Sequence, residues 1–264
     1  MGFLGMIDRM ERYVVVNCTE REELMDILYD ERFPTDAVVL TPELVMQYED
    51  GVFERSPEVA RPYFEKNAPV PKEVYDISRE KNLTLFLGTA RQDDEGLYNS
   101  LVCIKDGEEV WHHDKFKLYT GSNETKVFKA PEEWDGGMEL DGVRYSTPIC
   151  IETNHIMRKG REKSLYSEVA DFNPDVMLVP AYWPNSPDLF EGNLRTIMRR
   201  TGTKMVLFAN GGNRSGGMYL TENGGSSVVM ENGTCRLDET GWIEIEADLE
   251  KGTYVNTNHV LEDE

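Results

Sequence analysis

Three side chains able to do covalent chemistry stand at the ends of separate apolar runs in this chain: a carboxylate, an amine and a thiol. The thiol is Cys150, inside the stretch Gly142 to Asn154, with Glu152 two places later. The stretch reads as a strand ending in a sharp turn that carries the thiol at its edge. A thiol there is a small buried hydrophobe unless a neighbour ionises it. Glu43 follows the run Ala37 to Leu40 and Thr41-Pro42; alone, it reads sooner as a helix-start carboxylate than as a catalytic one. Lys115 closes the run that begins at Glu109. Free cysteine and glutamate differ by about 4 pKa units, so simple proton transfer between them costs about 5–6 kcal/mol. A nearby ammonium and a buried glutamate each shrink that gap. The lysine would favour the thiolate and then hold the oxyanion of a tetrahedral intermediate.

These residues need elements to bring them together. Tyr13 to Val16 reads as a buried strand, followed by a helix with a Thr19/Glu22 capping box and Leu24, Ile27 and Leu28 on one face. Gly51 to Pro71, with charges and three prolines, reads as a surface excursion. Lys72 to Lys81 reads as a helix with Val74 and Ile77 inward. Leu83 to Gly88 is a continuous apolar strand, and Leu97 to Lys105 with Glu109 to Lys115 form a hairpin around Asp106-Gly107. Helices are expected over about Glu162 to Ala170 and over Asn193 to Arg200, with strands at Val176 to Val179 and Met205 to Ala209. Late strands should break at Asn232-Gly233 and Thr240-Gly241. Strands alternating with helices, plus hairpins, predict an α/β protein with a mixed sheet. Its buried strands end in Glu43, Lys115, Cys150, Tyr182 and Asn210, and sites in such sheets gather beyond the carboxyl ends of strands. Residues 1–264 read as one domain.

Composition narrows the partners. With 264 residues, 39% of them hydrophobic, the chain can bury a sizeable core. Four widely spaced cysteines without a Cys-x-x-Cys pair favour a reducing compartment. No apolar run approaches the roughly 20 residues of a membrane helix, and Met1 to Arg12 is too short and too charged for a signal peptide. A cytoplasmic protein is expected, with no membrane partner. A net charge of −21, spread along the chain, repels phosphate backbones and argues against nucleic acid; it fits a solvated surface, with high-salt adaptation as the alternative. His112 and His113 alternate across a strand and cannot chelate one metal together, and the histidines lack ligand spacing, so no metal is expected.

In order and spacing, these motifs resemble the nitrilase superfamily, the carbon–nitrogen hydrolases with a Glu-Lys-Cys triad. Pro42-Glu43, Tyr98-Asn99-Ser100 with Asp106-Gly107 and Lys115-x-x-Leu118, Cys150-x-Glu152, Pro180 to Pro184 and Phe208-Ala209-Asn210 carry the likeness, which runs from about Tyr13 to Leu249. It implies a four-layer α-β-β-α sandwich with mixed sheets. It makes Glu43 the general base, Lys115 the oxyanion-stabilising amine, Cys150 the nucleophile and the Ile151 N–H a second oxyanion donor. Glu124, four residues before Phe128, fits a second glutamate that bonds the lysine; as a bare sequence feature it is also a solvated loop carboxylate. Tyr182, Trp183 and Asn210 would line the substrate site, with the 43–63 and 211–217 segments shaping the pocket. Relatives carry an aromatic-basic pair where this chain has His113-Asp114, and a glutamate where it has Met198 to Thr201.

The resemblance implies hydrolysis of a small non-peptide amide through a cysteine thioester, without a cofactor, by a homodimer or higher homo-oligomer. Ile151, where nitrile-cleaving members carry Trp, favours amides. Alternatives are a nitrilase, an N-carbamoyl hydrolase, an acyltransferase, or a catalytically silent binding protein that keeps the fold. Lys117 competes with Lys115, and a thiol enzyme using His155 as base for Cys150 is a further alternative.

Overall fold

The computed structural model describes residues 10–47, 55–157, 165–183, 187–221, 229–237 and 239–261. Thirteen strands and seven α-helices are formed among them. In chain order they are β1 (Glu11–Asn17), α1 (Arg21–Tyr29), β2 (Val38–Leu40), α2 (Pro57–Asn67), α3 (Lys72–Glu80), β3 (Thr84–Gln92), β4 (Leu97–Lys105) and β5 (Glu108–Asp114). Then follow α4 (Glu124–Val127), β6 (Gly137–Leu140), β7 (Val143–Ser146), α5 (Glu152–Met157), α6 (Leu165–Phe172), β8 (Val176–Ala181), α7 (Pro187–Thr201) and β9 (Met205–Asn210). The chain closes with β10 (Ser215–Thr221), β11 (Val229–Leu237), β12 (Gly241–Asp248) and β13 (Thr253–Val260). Among the described residues no helix is long and apolar enough to cross a membrane.

Two mixed sheets result, one in the order β13-β12-β1-β2-β3-β4-β5 and the other β11-β10-β9-β8-β7-β6. In the first, β1, β2 and β3 run parallel, in register Val14↔Val39 and Val39↔Leu85. In the second, β7, β8 and β9 run parallel, with Tyr145↔Val176 and Val176↔Met205. Alternation along each strand sets the layers. Tyr13, Val15, Phe86, Leu101 and Cys103 pack in one cluster with the second sheet and with Val169 of α6 and Leu194 and Ile197 of α7. Val14, Val16, Leu85, Leu87, Val102 and Ile104 face Leu24, Ile27 and Leu28 of α1 and Val74 and Ile77 of α3. The architecture is therefore the expected α-β-β-α sandwich.

Several local expectations shift. The helix α1 starts at Arg21, one residue later than a Thr19 cap requires, so Glu23 and not Glu22 reaches back to the Thr19 N–H, at 2.7 Å. The segment read as a surface excursion contains α2: Pro57 initiates it, where a missing N–H costs nothing, and Ala60 and Phe64 bury one face despite Pro62. Phe64 meets Phe128 edge-on at 4.9 Å, in a small cluster with Leu44, Ala90, Leu97 and Val127. β7 stops at Ser146, short of Cys150, because Pro148 cannot continue a ladder. The Asn232-Gly233 break does not occur: β11 runs through it and absorbs the extra residues where its pairing with β10 shifts, between Tyr219 and Thr221. Residues 158–164 and 184–186, part of the expected Glu162 to Ala170 helix and of the Pro180 to Pro184 segment, lie outside the described residues.

Candidate active site

β2, β3 and β5 of the first sheet share one direction, since two antiparallel steps separate β3 from β5. Their carboxyl ends therefore deliver Glu43 and Lys115 to one edge. The parallel strands β7, β8 and β9 of the second sheet deliver Cys150, Tyr182 with Trp183, and Asn210 to theirs. The two edges join directly: the Tyr182 N–H donates to Glu43 Oε2 at 2.8 Å.

Glu43 follows Thr41, whose N–H donates to Phe86 O at 3.1 Å and whose hydroxyl accepts from Gly88 N at 3.0 Å. That approach requires a glycine at 88: a Cβ there would overlap the Pro42 carbonyl and lie 2.9 Å from Glu43 Cα. Just past Glu43, Leu44 takes φ 54°. Lys115 leaves β5 with its N–H on Asn99 O at 2.8 Å. Its ammonium is buried and donates to Glu43 Oε1 at 2.5 Å and to Glu124 Oε1 at 2.8 Å. Asn99 Nδ2 donates to the same two oxygens, each at 2.7 Å, and Glu124 Oε2 accepts from Tyr119 N at 2.6 Å. Burial opposes the Lys115 charge, but Glu124 and Glu43 more than offset it and hold its pKa well above the ordinary lysine value. Burial pushes Glu124 up, against the pull of Lys115.

Cys150 sits between β7 and α5 at φ 48°, a left-handed conformation that costs a non-glycine residue about 1–3 kcal/mol. The turn is held by Cys150 N on Pro180 O at 2.9 Å and by the Thr153 hydroxyl on Cys150 O at 2.7 Å. Its thiol lies 3.8 Å from Tyr182 O. Burial, then Glu43, push the thiol well above its usual range, and Lys115 only partly opposes them. Burial and Glu43 thus work against the thiolate that a neighbouring lysine favours. Among the described residues no acceptor meets the Ile151 N–H.

The structure brings Glu43, Lys115, Glu124 and Cys150 together. Lys117 is elsewhere, its ammonium 3.8 Å from the centre of the Phe116 ring. His155 is half-buried on α5, while the charges acting on the Cys150 thiol are those of Glu43, Lys115 and Glu124. Asn210 is buried, and its Oδ1 accepts from Trp183 N at 2.7 Å and Gly212 N at 3.1 Å while Nδ2 donates to Trp183 O at 3.2 Å. It positions Trp183, whose ring packs 5.4 Å from Phe190 of α7. Asp114 pairs with Arg91 at 2.6 Å, and Met198 is buried in the core. Among the described residues no group of His, Cys, Asp and Glu is arranged to hold a metal.

Asn99, Glu152 and His113 are the site residues that pattern reading did not assign a role. Asn99 lies in β4, buried at all but its last position, and His113 at the buried end of β5; in each the signal was a polar side chain inside a strand.

No protein-family model and no curated protein matches the chain. Solved structures do. A glutamine-dependent NAD+ synthetase from Acinetobacter baumannii superposes over 96% of this chain with a TM-score of 0.71 at 15% identity. The match spans 49% of the synthetase, so this chain accounts for about half of that protein's length. A cysteine variant of the Nesterenkonia AN1 amidase from the nitrilase superfamily matches over 92% of this chain and 94% of its own, with a TM-score of 0.68 at 16% identity. The same amidase in complex with butyramide gives 0.66 at 16% identity, over 91% and 92%. The chain has the carbon–nitrogen hydrolase fold seen in these nitrilase-superfamily enzymes.

Proposed function

We propose that the chain is a member of the nitrilase superfamily that hydrolyses a small, uncharged amide through a cysteine thioester. The observation that supports this best is the Lys115 ammonium held between Glu43 and Glu124, beside a thiol on a strained turn. In this reading the Cys150 sulfur attacks the amide carbon as its proton passes to Glu43, because the neutral thiol needs a base at the moment of attack. The carbonyl π electrons move to oxygen, where Lys115 Nζ and the Ile151 N–H stabilise them. Collapse breaks the C–N bond, and the nitrogen leaves as ammonia with the proton from Glu43. Water then attacks the thioester, gives a proton to Glu43, and the C–S bond breaks to release the acid and restore the thiol. Glu124 and Asn99 hold Lys115 and Glu43 in place throughout.

Two carboxylates and one ammonium leave the site short of positive charge, which disfavours an anionic acyl group. The four reactive side chains are at most 7% exposed, which suits a short substrate. Structures of the Nesterenkonia amidase hold butyramide, or the acetamide moiety of fluoroacetamide added to the active-site cysteine; compounds of that size suit this chain too. Ammonia release across short aliphatic amides, glutamine, N-carbamoyl compounds and nitriles, with Cys150→Ala as control, tests the reading. Turnover on short amides that vanishes in the control is expected. Activity that survives in Cys150→Ala, or turnover confined to nitriles, would sink it.

A further inference from the structure

Glu152 and His113 take no part in the steps above, yet both are completely buried. Glu152 lies two residues after Cys150, and His113 two residues before Lys115. The Glu152 carboxylate receives four donors. Its Oε1 accepts from Phe116 N at 2.6 Å and Lys117 N at 3.2 Å. Its Oε2 accepts from Ile149 N at 2.7 Å and meets His113 Nε2 at 3.0 Å. One carboxylate therefore grips the chain just after Lys115 and the chain just before Cys150. Those two segments leave different sheets, β5 of the first and β7 of the second.

On the far side of the ring, His113 Nδ1 lies 2.6 Å from Asp135 Oδ1, on a side chain that is 53% exposed. Trp111 stacks near the imidazole at 6.4 Å and Trp134 meets it edge-on at 6.1 Å, which fixes the ring plane. A neutral imidazole donates through one nitrogen only, whereas both of these face carboxylates, so both bonds call for the imidazolium. Burial works against that charge, but Glu152 and Asp135 raise the His113 pKa to about 9. A buried carboxylate is costly unless its lone pairs are matched, and a carboxylate has about four such sites. At Glu152 four donors fill them, an arrangement out of proportion to holding one loop.

We propose that Glu152, oriented by His113 against Asp135, is a positioning residue that sets the spacing between the Lys115 ammonium and the Cys150 thiol. The inference rests on the hydrolase reading above and extends it to residues outside the triad. Coupling two loops from two sheets through one side chain makes the attack geometry independent of small movements between the sheets.

Glu152→Gln preserves shape but must turn its NH2 toward one of the two donor pairs, so one tie opens. We expect kcat to fall about 10²-fold, the loss a misplacement of about 1 Å produces. KM should change less than about threefold, since the damage is to attack geometry and not to binding. Amide exchange should quicken at Phe116, Lys117 or Ile149. His113→Leu should behave likewise, and His113→Gln, whose amide can still donate to Glu152, should recover part of kcat at a similar melting temperature. Folded Glu152→Gln and His113→Leu proteins with near-normal kcat would overturn the proposal, as would a His113→Gln variant no better than His113→Leu. If Glu152→Gln fails to fold, the two His113 variants decide. If the wild type hydrolyses no amide, the functional reading fails by itself. Amide exchange and the rate of Cys150 alkylation then judge the clamp: altered values in the folded variants support it and unchanged values overturn it.

Discussion

At the scale of single residues, charge and protonation are set by what folding packs around a group more than by its neighbours along the chain. Lys115 and Lys117 are two places apart, but only Lys115 reaches the carboxylates. Lys115→Met removes an oxyanion donor and the counter-charge of two buried glutamates. Loss of one donor costs about 10²–10³ in turnover, so a drop beyond that range is expected, with Lys117→Met mild; steady-state kinetics of both variants checks the assignment. Because the Cys150 thiol is pushed well up by burial and Glu43, its alkylation by iodoacetamide without substrate should still be climbing from about pH 8 to about pH 10. A plateau below that window would mean a preformed thiolate. Of Cys18, Cys103 and Cys150, the last should label first: it is 7% exposed and the other two are fully enclosed. His113 carries a linked expectation. Its folded pKa, about 9, exceeds the ordinary 6.5, so its contribution is whole below about pH 6.5 and is lost as pH rises through about 9. Melting curves of wild type and His113→Gln should therefore converge as pH rises through that window; a constant gap would contradict the linkage.

At the scale of elements, the site depends on close approach between backbones. Gly88 of β3 lets the Pro42-Glu43 turn lie against the strand. Gly88→Ala must displace that turn, so activity should fall about 10²-fold and stability by about 1–3 kcal/mol. Gly192 offers the contrast: it is exposed inside α7, and a Cβ there meets nothing within 4 Å. Gly192→Ala should stabilise the protein by about 0.5–1 kcal/mol through helix propensity alone. Denaturant titration of the pair separates the two mechanisms. Helix α2 supports the site less directly, since Phe64 and Phe128 share the small cluster that contains Leu44, next to Glu43, and Val127, in the helix that carries Glu124.

At the scale of the whole molecule, a net charge of −21 opposes compaction. Raising salt from about 10 mM to about 1 M shrinks the screening length from about 30 Å to about 3 Å. The melting temperature should rise across that range, and a flat or falling trend would show that attractive ion pairs outweigh the repulsion. The same charge leaves the architecture untouched, because the buried carboxylates, Glu43, Glu124 and Glu152 among them, are matched by internal donors and the packed faces of the elements are otherwise apolar.

Continuous apolar runs and helical apolar patterns determined most of the architecture, because each such face must be covered: Tyr13 to Val16 was legible as a buried strand, and Leu24, Ile27, Val74 and Ile77 as inward positions that meet Val14 and Val16 in one layer. The ends of those runs also marked Glu43, Lys115 and Cys150, since polar residues at strand exits break an apolar pattern visibly. Tertiary structure alone decided the rest. α2 was hidden because Pro57 and Pro62 look like breakers until Phe64 has Phe128 to pack against. The roles of Asn99, His113 and Glu152 were hidden because a buried polar side chain is defined by partners distant in sequence: Asn99 by Glu43 and Glu124, Glu152 by Phe116 and His113. The upward push on the Cys150 thiol belongs to the same class. A sequence can place a lysine near a thiol, but the balance between that charge, an adjacent carboxylate and the cost of burial exists only once all three share one dry space.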